Sequence, residues 1–204
     1  MQNKKHWEKI FESKEDVQKS WYQDFPVTSI QFFKELNIPK SAAIIDVGGG
    51  DSRLVDALLE EGYTNITVLD ISAIALKKAK TRLGSKVEKV KWIEADVLDF
   101  SPSEKYDFWH DRAVFHFVID EKDIEKYKRV MYNSVEQKGH VVIATFSPAA
   151  PESCSGLLVK RYSEQELVKT VSPFLRKLKC KYEDHITPFN TLQSFTFCSF
   201  LRCP

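Results

Sequence analysis

The chain has 204 residues, 43% of them apolar and 29% charged, which is the balance of a globular protein able to bury a core. Its 30 Lys and Arg against 29 Asp and Glu leave a formal charge of +1, so charge gives no drive toward nucleic acid or an anionic membrane. No apolar run reaches the length of a bilayer span, and the opening MQNKKHWEKIFESKED lacks the apolar centre of a secretory signal, so a cytoplasmic setting is expected. The cysteines, Cys154, Cys180, Cys198 and Cys203, form no C-x-x-C pair and no zinc-like group with histidine; reduced thiols and no metal site are expected.

In chain order, residues 1–40 read as a helical cap on a single domain. Trp7, Ile10 and Phe11 stand at helical spacing, SWYQDFP follows, and a second helix is expected near Thr28–Leu36. Residues 41–204 then alternate between strand and helix. Strands are expected at Ala42–Val47, Ile66–Leu69, Lys89–Ala95, Tyr106–Trp109 and His140–Phe146, with helices at Ser52–Glu61, Ala73–Leu83 and Asp120–Val135 between them. That alternation predicts an α/β fold, a doubly wound and mostly parallel sheet with helices on both faces. The rhythm breaks at the end. A helix at Glu164–Phe174 precedes strands at Lys177–His185 and Gln193–Arg202, which read as an antiparallel pair at one edge.

Three of the chain's seven glycines are consecutive, Gly48, Gly49 and Gly50, between an apolar strand and a helix opening near Leu54. Glycine serves where backbone must turn sharply or admit a ligand. In a doubly wound sheet ligands bind beyond the carboxyl ends of the strands. Acids end three of the strands: Asp46 just before the glycines, Asp70 twenty positions after Gly50, and Asp96 in EADVLDF. An acid about twenty residues past the turn is placed to hold ribose hydroxyls, and one at the third strand end can accept from the amine of adenine. Asp at a strand end also serves as a helix N-cap, so the ordered set carries the reading rather than any one residue.

On DVGGGDS, VLDIS, EADVLDF, YDFWHDRAVFHF and KGHVVIATF the chain resembles the class I S-adenosylmethionine-dependent methyltransferases, with Ser52 in place of the last glycine of D-x-G-x-G-x-G. The resemblance implies a seven-stranded Rossmann-like sheet with a reversed last strand and S-adenosylmethionine as cofactor. It assigns Asp46, Gly48, Gly49 and Gly50 to the donor loop, Asp70 and Ile71 to the ribose, and Asp96 and Val97 to the adenine. A nicotinamide-dependent oxidoreductase fits less well, because G-x-G-x-x-G counted from Gly48 meets Arg53 at its third glycine. A non-catalytic S-adenosylmethionine-binding subunit is a further alternative, weakened by the intact acids.

The acceptor side is expected just past the fourth strand, where His110, Asp111 and Arg112 bring a base, an acid and a cation together. His110 or Asp111 is a candidate to deprotonate the acceptor, and Arg112 to pair with an anionic group. The bland alternative is an Asp111–Arg112 ion pair, and His116 reads as structural. Trp21, Tyr22 and Phe25 form a candidate aromatic lid over the sulfonium or a hydrophobic anchor for the cap. Arg161 and Tyr162, after a Pro/Ser/Gly loop, are candidate substrate residues, whereas Cys154 reads as a small buried thiol. The expected acceptor is a small molecule met by a monomer, with no nucleic acid or membrane partner. HWEKIFES resembles the W-x-x-x-[YF] opening of some protein-lysine methyltransferases, which keeps a protein acceptor as the alternative.

Overall fold

Seven strands form the sheet in a computed structural model that describes residues 2–204, with side chains from Lys4 onward. The apolar runs become β1 (Ala43–Val47), β2 (Asn65–Asp70), β3 (Val90–Glu94), β4 (Tyr106–Arg112) and β5 (Val135–Phe146), all mutually parallel. Two short strands, β6 (Ser153–Cys154) and β7 (Leu157–Leu158), pair apart from the sheet. The sheet closes with β8 (Leu175–Ile186) and β9 (Leu192–Arg202) in the order β3-β2-β1-β4-β5-β9-β8, with β9 antiparallel to both neighbours. This is the expected α/β fold with its reversed last strand.

Helices cover both faces, which is why the central strands are apolar almost throughout. The cap comprises α1 (Gln2–Ser13) and α2 (Val27–Glu35); α3 (Leu54–Glu60), α4 (Ala73–Leu83), α5 (Glu121–Ser134) and α6 (Glu164–Val171) follow. Ile30 and Phe33 of α2 and Leu58 of α3 bury with Ile44, Phe108 and Val142 on one face. Ile124, Tyr127 and Met131 of α5 bury with Ile45, Trp109 and Ile143 on the other. Among the described residues no helix is long and apolar enough to cross a membrane.

The cap is held by polar contacts as well as apolar ones. Glu8 of α1 accepts from Ala73 N at 2.9 Å, Ile74 N at 3.3 Å and Ser72 Oγ at 3.1 Å, so its carboxylate sits on the amino end of α4. Lys19, only 1% exposed, bonds Asp51 of the glycine loop and Asp16.

Three expectations are corrected. The fourth strand does not stop at Trp109 but continues through Arg112, because each residue from Phe108 to Arg112 pairs with β5 despite its polarity. The last helix ends at Val171 rather than Phe174: Pro173 disfavours helical geometry at Ser172. The thiols are not all reduced. Cys180 and Cys198 are bonded across the β8–β9 ladder, where the register sets them opposite each other, while Cys154 and Cys203 are free. Closing a loop with a sequence separation of 18 restricts the unfolded chain by about 3 kcal/mol. Reduction, or Cys180→Ser with Cys198→Ala, is therefore expected to lower the thermal midpoint by several degrees, read by calorimetry with and without reductant.

Candidate active site

The glycine turn is tight because its neighbours leave no room. Gly48 has φ +63°, and a Cβ there would stand 2.0 Å from Val114 Cγ2; one on Gly49 would stand 2.6 Å from Asp46 Oδ2. Gly48 N and Gly49 N donate to Leu69 O at 2.7 and 3.2 Å, tying the turn to the end of β2. Asp70, next in the chain, is 5% exposed and accepts from Ser72 N at 2.7 Å. Burial pushes its carboxyl up to about 7, with the Asp51 and Asp46 carboxylates adding to the rise. Asp96 accepts from Leu98 N at 2.9 Å and caps a single turn at Val97–Asp99.

The continuation of β4 decides where the three expected acceptor residues go. Successive side chains of a strand point to opposite faces. His110 and Arg112 therefore share the cap-side face, and Asp111 is turned into the core. His110 lies beside Asp46 in the parallel register; its Nδ1 is 2.7 Å from Asp46 Oδ1 and its Nε2 is 2.9 Å from Ser29 Oγ. Asp111 is fully buried, accepting from Val114 N, Phe115 N and the Tyr127 hydroxyl. Burial raises its carboxyl to about 6. The expected grouping of base, acid and cation is thus split: Asp111 anchors the turn after β4 and reaches neither cleft. Nor do Asp111 and Arg112 form an ion pair.

Two adjoining clefts lie over the carboxyl ends of the strands. The larger, about 170 Å³, is lined by Asp70, Ile71, Asp96 and Val97, with Trp7, Trp21 and Phe117 across from them. The smaller, about 60 Å³, is lined by Asp46, the three glycines, His110 and Ser29, with Lys19 and Tyr22 from the cap. Gly48, Phe11, Trp21 and Arg112 belong to both. Every expected donor-site residue lines one of the two.

The candidate lid divides. Trp21 packs edge-on to Trp7 and Phe11 and borders both clefts, whereas Tyr22 borders only the smaller, beneath the Arg53 guanidinium at 5.5 Å. Phe25 is exposed. Arg161 and Tyr162 depart from expectation. Arg161 binds Pro148 O, Ala150 O and Glu152, fastening its own loop. Tyr162 is 1% exposed and stacks on Phe115 in the core of the opposite face. His116 is buried, accepts from Phe146 N at 3.2 Å, and is driven down to about 3 by burial. Cys154 is buried, with its thiol pushed up by desolvation. Ser29, Lys19 and Glu8 carry no sequence motif; only the docking of the cap brings them to the site.

A family model described as a methyltransferase domain matches residues 44–139. The mouse eEF1A lysine and N-terminal methyltransferase is 27% identical over 122 residues, 58% of this chain, which spans only 17% of that protein. Malonyl-[acyl-carrier protein] O-methyltransferase 2 of Ilyobacter polytropus is 30% identical over 82 residues, 40% of this chain and 31% of its own length. The N-methyltransferase NodS of Bradyrhizobium japonicum, solved with S-adenosylhomocysteine, superposes with TM-score 0.68 at 15% identity, covering 96% of this chain and 97% of that one. The fold, the strand-end motifs and the matched domain are those of the class I S-adenosylmethionine-dependent methyltransferases.

Proposed function

We propose that the chain transfers the methyl group of S-adenosylmethionine to a small molecule that arrives protonated, with His110 as the base. The observation that carries this reading is the buried Asp46–His110–Ser29 chain bordering a cleft that adjoins the larger one. Asp70 would hold the ribose hydroxyls, Asp96 the adenine amine, and Gly48–Gly50 the methionine end, with Ile71 and Val97 against the rings. The donor supplies an electrophilic methyl group on a sulfonium, displaced in line by the acceptor, so the protein's main task is alignment.

Asp46 then acts on the acceptor side. It accepts from His110 Nδ1–H and fixes that tautomer, which leaves Nε2 free to accept from the Ser29 hydroxyl. An acceptor in the smaller cleft passes its proton to Ser29 Oγ while the Ser29 proton moves to His110 Nε2; Asp46 stabilises the imidazolium. Arg112, bordering both clefts, is the candidate for an anionic substrate group. Arg161, bonded within its own loop, and Tyr162, packed in the opposite core, have no part in this reading.

The aromatic cap over the clefts favours a small acceptor. A protein lysine is the second reading, favoured by the mouse relative's name. The charge of +1 supports a small molecule over nucleic acid. A cytoplasmic monomer belongs to this reading; the Cys180–Cys198 bond speaks against that compartment, because disulfides are rare there.

Labelled S-adenosylmethionine added to a fractionated lysate is expected to mark small molecules, and label in protein bands would favour the second reading. With the acceptor so found, His110→Gln is expected to lower kcat about 100-fold at pH 7 with unchanged S-adenosylhomocysteine affinity. Asp111→Asn is expected to lower the melting temperature instead.

Asp70 gives a second test. Its ionised form is the better acceptor for ribose hydroxyls, and its carboxyl titrates at about 7. Donor affinity is therefore expected to rise with pH from 5 to 7 and level off above. Asp70→Asn is expected to weaken binding at least tenfold and flatten that profile, read by calorimetry.

A further inference from the structure

Arg112 ends β4 and is common to both clefts. Its Nη1 donates to Trp21 O at 3.2 Å, and its guanidinium lies 4.9 Å over the Phe195 ring. Its Nε and Nη2 are buried and have no partner among the described residues. Those two nitrogens share one edge of the planar guanidinium, the edge whose spacing matches both oxygens of a carboxylate. Burial lowers the group only to about 10, so it stays charged at neutral pH.

The chain offers one internal rival for that edge. Glu183 of β8 is the acid that acts most strongly on Arg112, yet no ion pair joins them, and Glu183 Oε2 is itself buried without a partner. Glu183 stands opposite Phe195 in the β8–β9 register, and Phe195 is the ring beneath the Arg112 guanidinium. Other titratable neighbours do not compete. Asp46 is bonded to His110, His185 contacts Ser20 O at 2.8 Å, and Cys154 has its thiol pushed up by burial.

We propose that the Nε/Nη2 edge of Arg112 receives a carboxylate of a reactant, and that Glu183 favours a carboxylate with an N–H donor beside it. The inference rests on the donor-site reading above. The carboxylate comes from one of two sources, the amino-acid end of the donor or the acceptor.

Calorimetry with S-adenosylhomocysteine and with methylthioadenosine, which lacks the amino-acid end, separates the sources. Benzoate, with benzamide as its uncharged control, is then titrated into the S-adenosylhomocysteine complex. If the donor is the source, Arg112→Met and Arg112→Lys lose at least tenfold in S-adenosylhomocysteine affinity and nothing in methylthioadenosine affinity. If the acceptor is the source, both nucleosides bind as in wild type and benzoate binding falls at least tenfold, with Glu183→Gln strengthening it. The proposal is overturned if folded variants keep all these affinities. Wild-type protein also overturns it, with no variant needed, by binding S-adenosylhomocysteine no tighter than methylthioadenosine and benzoate no better than benzamide. Failure of wild type to bind either nucleoside would instead overturn the donor-site reading, and the benzoate and benzamide comparison, run on the free protein and on Arg112→Met, would then decide the role of Arg112.

Discussion

Three carboxylates, Asp46, Asp51 and Asp70, are buried around one glycine turn. A buried charge without a partner is too costly to persist, so each acid has to be met. Asp46 is met by His110 from β4, and Asp51 by Lys19 from the cap. Asp70 receives only backbone N–H groups, from Ser72 and Gly50, and its carboxyl is the one that burial lifts to about 7. The arrangement of the site follows from this distribution. Two acids are settled by distant parts of the chain, and the third keeps acceptor capacity facing the larger cleft.

The same requirement explains why the cap belongs to the fold. Without residues 16–19, Asp51 would sit in the glycine loop as an unpaired acid and disturb its neighbours further. Glu8 performs the reciprocal task at α4, where its carboxylate meets the free amides of Ala73 and Ile74. These two contacts are among several that fasten the cap, with Lys78 Nζ on Lys14 O and His110 on Ser29 as others. Trp7, Phe11 and Trp21 cluster together and close the larger cleft from above. Trp21 and Tyr22 of the cap also border the smaller cleft.

What the sequence disclosed was local. The alternation of apolar runs and the Ala73–Leu83 periodicity were legible because each depends on neighbours in the chain. So were the glycine turn and the acids at the strand ends. The end of β4 was not. HDR reads as a polar turn, and only pairing with β5 shows that it remains strand. That error of three residues matters, because in a strand His110 and Asp111 cannot serve one pocket. The Cys180–Cys198 bond was hidden for a related reason: the hairpin was visible, but its register was not. Tyr162 misled because a tyrosine beside an arginine after a Pro/Ser/Gly loop reads as facing the acceptor pocket, whereas its ring completes the core beneath Phe115.

Alignment rather than acid–base power governs a methyl transfer, and the distribution of polar groups follows that division. The larger cleft is lined mainly by apolar side chains, with the carboxylates of Asp70 and Asp96 among them. His110 borders the smaller cleft, held between Asp46 and Ser29. Arg112 is the charged side chain common to both clefts, steadied by Trp21 O and the face of Phe195 while two of its nitrogens remain unmet. Its Trp21 bond couples it to the cap.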